Sequence, residues 1–188
     1  MNLSSIMTNL HRLPGYGAVE KGLKTAYANI ALRVLGPAFE VVSAISPECR
    51  SELRSWPEGI RISIGVLPAG PTMTVAKQGE RLVYLGTGDK QADVTILFKN
   101  LDSAMLVLTL YMGTIQAYNE GRIFARGDNT MSVATVRILD QVEAYLVPSF
   151  LLGQNFFRRP HPLGFRQHLT RLKAYALLVP AILKSLGR

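Results

Sequence analysis

Apolar positions along the chain recur first at helical spacing, then at period two, then at helical spacing again, and each change of period predicts a change of element. Over residues 17–55 the spacing is helical in two pieces, GAVEKGLKTAYANIALRVL and PAFEVVSAISPECRSELRSW. Gly36-Pro37 is the predicted break, because proline lacks the N–H that a helix interior needs. Ile60, Ile62, Ile64 and Val66 then alternate, followed by Met73 with Val75, Leu82 with Tyr84, and Val94, Ile96 and Phe98. Four successive strands are predicted, and the turn-rich separators LPAGP and KQGE should fold the first three into an antiparallel meander.

After Asn100 the stretch LDSAMLVLTLYMG is apolar on most sides, which predicts a buried helix. GRIFARGDNT reads as a fifth strand, a turn at Gly127-Asp128 and the start of a capped helix. Its Arg126-Gly127-Asp128 tripeptide is thus expected to be a turn rather than an adhesion signal. Over residues 130–146 Met131, Ala134, Ile138, Val142 and Tyr145 share a face opposite Arg137, Asp140 and Glu143, as in a helix covering a sheet. From Leu163 to Leu186 a last helix is predicted, with Phe165, Leu169, Leu172, Val179 and Ile182 near one side and Pro180 bending it. The elements together predict an α+β fold with a five-stranded sheet packed against helices, closed as one unit by a chain of 188 residues.

Charge sharpens this picture. Residues 1–143 hold 14 Lys+Arg against 13 Asp+Glu, whereas the remainder carries 7 basic residues and no acidic one. A basic, amphipathic carboxy-terminal quarter points to an anionic surface, with lipid headgroups favoured over nucleic acid because the tail contains no recognised nucleic-acid module. The docking residues expected there are Phe165, Arg166, Leu169, Arg171, Leu172, Lys173 and Lys184. The stretch from Thr25 to Ser46 is interrupted by Arg33, Gly36-Pro37 and Glu40, so an integral membrane span is not expected. The first residues lack a basic start followed by an apolar run, and Cys49 is the single cysteine. A cytoplasmic location, peripheral to a membrane, is the expectation.

Catalytic chemistry finds little support. The sequence has no G-x-S-x-G and no paired metal-ligand spacing, and His161 and His168 stand without Cys or carboxylate neighbours. GYGAVEKG and GTGDK fit neither a dinucleotide fingerprint nor a phosphate loop, so they read as turns and no cofactor is expected. What remains is an excess of apolar faces, a pattern that serves a filled core and an apolar tunnel equally well.

Residues 92–146, beginning with Ala92-Asp93-Val94-Thr95 and continuing through the helix at Leu101 to Met112 and the strand closing on Gly127-Asp128, resemble the sterol carrier protein 2 family of lipid-binding domains. The preceding strands extend the resemblance to about residue 50. It implies a mixed sheet, largely an antiparallel meander, whose helices enclose an apolar tunnel for fatty acyl, sterol or isoprenoid lipids. One departure is Gly113-Thr114, where the family has glycine followed by lysine. The tunnel lining then expected, from strand alternation and helix face, is Ile62, Ile64, Val75, Val94, Ile96, Phe98, Ile123, Met131, Ala134, Ile138 and Val142. The chain divides accordingly into a helical extension at 1–49, a lipid-binding domain at 50–146 and a basic extension at 147–188. A non-catalytic lipid carrier is the leading expectation; the alternative is an accessory protein that presents an isoprenoid or quinone-type intermediate to a biosynthetic complex and so needs a protein partner.

Overall fold

The fold was obtained as a computed structural model, and it describes residues 16–146 and 165–185. Helix α1 runs Tyr16–Ile45 and α2 Pro47–Leu53. The break predicted at Gly36-Pro37 is absent. Pro37 lies inside α1, and the chain turns instead at Ser46, whose hydroxyl accepts the Cys49 amide at 3.3 Å. An interior proline costs a helix about 3 kcal/mol, so packing must offset it. Leu32, Leu35, Phe39 and Val42 form one stripe on both sides of Pro37, all at most 6% exposed, and the helix continues through the proline. Gly36 allows a close approach beside them: a Cβ there would stand 2.3 Å from a ring carbon of Tyr84.

The strands are β1 Arg61–Val66, β2 Thr72–Gln78, β3 Arg81–Thr87, β4 Val94–Phe98 and β5 Ile123–Arg126. They form one sheet in the order β3-β2-β1-β4-β5. The expected meander β1-β2-β3 is antiparallel, β4 joins β1 in parallel, and β5 pairs β4 antiparallel, so the protein is α+β with a five-stranded mixed sheet. The parallel pair demands a crossover from β3 to β4. Residues 88–93 supply it across the sheet face that bears the small side chains Ser63 and Thr74, both fully buried. The Thr74 hydroxyl donates to the Gly88 carbonyl at 2.7 Å and accepts from the Lys90 amide at 3.3 Å, while the Arg61 amide donates to the Asp93 carboxylate at 2.8 Å.

The helices cover the opposite face. Helix α1 packs over β2 and β3, and α5 (Asn129–Leu146) over β4 and β5. Side chains of α1 also satisfy the open edge of β3: the Leu82 amide donates to Ser43 Oγ at 2.9 Å and the Tyr84 amide to Glu40 Oε2 at 3.1 Å. Unpaired edge amides are both costly when buried and a template for aggregation, and these two contacts remove that liability.

Two short helices flank this layer, α3 Leu101–Leu108 and α4 Thr114–Asn119. Helix α3 was predicted to run to Met112 and to be buried on most sides. It ends at Leu108, and only Ser103, Ala104 and Val107 are buried, with Leu101, Met105, Leu106 and Leu108 half-exposed. The reason is its marginal position beside α1, to which it is tied by Lys24 Nζ–Asp102 at 2.6 Å and by the Tyr27 hydroxyl donating to Leu108 O at 3.2 Å. The last helix, α6, spans Phe165–Ser185 and contains Pro180. Phe150, Phe156, Phe157, Arg158 and Arg159, which the sequence reads as a loop-like apolar link to the last helix, lie outside the described residues, as does His161.

Candidate functional site

Strand alternation places Ile62 and Ile64 of β1, Val75 of β2 and Val94, Ile96 and Phe98 of β4 on the helix-covered face, where the pairs Ile62↔Val75, Ile62↔Val94 and Ile64↔Ile96 set them side by side. Ile123 of β5 lies opposite Phe98. Ala134, Ile138 and Val142 meet this face from α5. Ten of the eleven residues read from the sequence as a lining are thus gathered in one buried layer, none more than 4% exposed, while Met131 sits half-buried at its rim.

The same layer contains residues that the sequence reading did not name as lining. Leu32, Leu35, Phe39 and Val42 come from α1, and Met73, Leu82 and Tyr84 extend the strand rows. The α1 residues were visible in the helical period but stood outside the stretch that carries the family resemblance. Trp56 belongs to this cluster as well, 4% exposed, and its Nε1 finds no acceptor among the described residues. A buried donor left unpaired costs about 1–3 kcal/mol.

The polar residues around α5 are tightly partnered. Tyr145 Oη donates to Glu48 Oε2 at 3.2 Å, and the Cys49 thiol to Gln141 Oε1 at 3.0 Å. Burial pushes the Cys49 thiol up to about 11, so it is an inert core group. Glu143 was expected on the solvent side of its helix. Instead its carboxyl faces α4, where Thr114 Oγ1 donates to Glu143 Oε1 at 2.5 Å. Thr114 is the residue at which the chain departs from the family's lysine. Burial of its carboxyl, in a residue only half-buried as a whole, is aided by the nearby charge of Asp140; it outweighs the hydrogen bonds from Thr114 and pushes the Glu143 carboxyl from 4.5 up to about 8.

A carboxyl whose folded value is raised stabilises the fold fully below its ordinary value, and that contribution is lost as pH rises through the folded value. Melting temperature is therefore expected to fall between pH 4.5 and about 8 in the wild type, and to fall less in Glu143→Gln. Parallel melting curves for the two proteins across that window would remove Glu143 as the cause.

The residues expected to dock on a membrane are divided by the structure. Leu169 and Leu172 are 47% and 65% exposed, and Lys173 and Lys184 are exposed. Arg171 is not part of that face. It is 7% exposed, and its Nη2 donates to Ala144 O at 2.6 Å. The final turn of α5 leaves carbonyls without helical partners at the negative end of the helix dipole, and a guanidinium is drawn there. Tyr175 adds a second tether, its hydroxyl donating to Leu146 O at 2.9 Å. The side chains of Phe165 and Arg166 lie outside the described residues.

No family model matches the chain, and no curated protein matches it. Among solved structures it is similar to the UbiJ-SCP2 ubiquinone synthesis protein, at 19% identity over 65% of this chain and 97% of that one, with a TM-score of 0.39. It is similar also to palmitated SCP2L2 from Aedes aegypti, at 13% identity over 52% of this chain and 93% of that one, with a TM-score of 0.35. Both of these structures are named as sterol carrier protein 2 proteins. A third similar structure is the conserved hypothetical protein TT1886 from Thermus thermophilus, at 17% identity over 62% of this chain and 86% of that one, TM-score 0.38. At 13–19% identity these likenesses concern the fold and assign no ligand.

Proposed function

We propose that the protein is a non-catalytic carrier that holds one long-chain lipid, of fatty acyl, sterol-like or isoprenoid class, between the sheet and helices α1 and α5. One observation carries the reading: apolar side chains from strand and helix rows converge on a single buried layer between the sheet and the helices. Each methylene removed from water contributes about 0.8 kcal/mol, so such a layer can compete with a bilayer for a long chain. The carrier works in the cytoplasm and meets its lipid at an anionic membrane surface. A second reading uses the same layer to present an isoprenoid or quinone-type intermediate to a biosynthetic complex. It is favoured by the exposed apolar side chains of α6, which suit a protein partner as well as a membrane.

Native mass spectrometry of protein purified from its own source, followed by solvent extraction, separates these readings. A mass increment of one lipid, released by solvent, is expected; the extracted lipid gives the class. Co-purification of a stoichiometric protein partner would favour the second reading. A bare chain mass from unextracted protein counts against both.

A further inference from the structure

The first four turns of α1 carry an apolar face that is largely exposed among the described residues, touched only at Tyr27, whose hydroxyl reaches Leu108 O. Val19, Leu23, Tyr27 and Ile30 follow one another at helical spacing and are 64%, 68%, 41% and 64% exposed. The same side of the helix continues to Pro37 and Val41, which are buried. One stripe is therefore covered over its second half and largely exposed over its first. Helix α1 is long and apolar enough to cross a membrane by length and composition, yet half of that stretch is buried inside the fold, so only the exposed half is available to anything outside.

Helix α6, which packs along α1, repeats the pattern. Its inner side holds the buried Arg171 and Ala174. Its outer side exposes Leu169, Leu172, Val179 and Leu183 at 47%, 65%, 62% and 65%, spaced as one helical face. Large apolar side chains exposed in rows on two adjoining helices are unusual for a surface that meets only water.

Charge indicates what covers them. Residues 16–33 and 165–185 contain seven Lys and Arg against one acid, Glu20; Arg171 is buried, and Lys24 is shared by Glu20 and Asp102 at 2.6 Å each. Lys21, Arg33, Lys173 and Lys184 are exposed. A second copy of this chain would bring like charges together across the face. A bilayer with anionic headgroups supplies the opposite charge at the rim and an apolar interior for the stripes.

We propose that the amino-terminal half of α1 and the outer side of α6 form one docking surface for an anionic bilayer. The carboxy-terminal helix alone was expected from sequence; the structure adds α1. The purpose of the surface rests on the lipid-carrier reading, since docking brings the apolar layer to the source of its lipid, but its geometry does not depend on it.

Vesicle sedimentation of the full chain tests the surface, with phosphatidylcholine vesicles and with phosphatidylcholine vesicles containing phosphatidylglycerol. Wild-type protein should bind the second kind and be released by salt. The double variants Leu23→Asp/Ile30→Asp and Leu172→Asp/Leu183→Asp should each weaken that binding by about tenfold or more, because a charge replaces an inserting apolar side chain. Both replace exposed residues, so melting temperature and binding of a fluorescent fatty acid without vesicles should not change. Wild-type-like sedimentation of the α1 variant overturns the proposal, as does indifference of the wild type to phosphatidylglycerol. Self-association of the wild type that the α1 variant abolishes would assign the face to a second copy instead. Docking that persists in a protein unable to bind the fatty acid would remove the carrier reading and leave the docking surface standing.

Discussion

Gly127→Val is expected to destabilise the fold by about 3 kcal/mol or more, lowering the melting temperature by roughly 6–12 °C. Gly127 has φ +105°, a conformation that L side chains rarely adopt, and a Cβ there would stand 2.3 Å from the carbonyl oxygen of Asp93 and 3.2 Å from the Cα of Val94. Both contacts are backbone at the start of β4, so no side-chain rotation relieves them. The cost falls where β5 closes on β4 and turns into α5. The next residue has a smaller role: Asp128 Oδ1 accepts the Met131 amide at 2.8 Å as the amino-terminal cap of α5. Asp128→Ala should accordingly cost about 1 kcal/mol. Thermal melts of both variants decide the matter, and an unchanged melting temperature in Gly127→Val would mean that the turn is not held as described.

Ile138→Trp is expected to abolish binding of a long-chain lipid while costing the fold less than about 1 kcal/mol. Ile138 projects from α5 into the layer facing the sheet and is 0% exposed. Where that layer holds a ligand, the indole takes the ligand's volume and the protein tolerates it. Where the layer is a solid core, the added atoms force side chains off their rotamers and destabilise by about 1–3 kcal/mol. Ile96→Trp, from the strand side at 0% exposure, should behave alike. Denaturant titration measures the stability change; a large loss in both variants is the mark of a solid core.

The sheet was legible in the sequence because period-two alternation and short turn segments act locally, and the pairing Ile62↔Val75 follows from them with little help from the rest of the chain. The parallel placement of β4 beside β1 was not visible in the alternation; the family resemblance implied only a mixed sheet. Its local signature, Ser63 and Thr74 kept small beneath the 88–93 crossover, has no period. Gly36-Pro37 misled for a physical reason: proline's local preference is real, but packing of Leu32, Leu35, Phe39 and Val42 outweighs it. Arg171 and Glu143 were placed on solvent faces because charged residues usually are. Each is drawn inward by a partner distant in sequence, Ala144 O for one and Thr114 Oγ1 for the other. The lining residues were found by face, yet their use is illegible in any pattern, since the same Ile and Val rows fill a core or enclose a chain.

Binding of a fluorescent long-chain fatty acid, measured side by side in wild type and Ile138→Trp without vesicles, tests the carrier claim most directly. Saturable binding by the wild type at one site per chain, displaced by unlabelled lipid and lost in a still-folded Ile138→Trp, is the expected result. No binding by the wild type, together with a destabilised Ile138→Trp, would contradict it and show that the layer between sheet and helices is filled by the protein's own side chains.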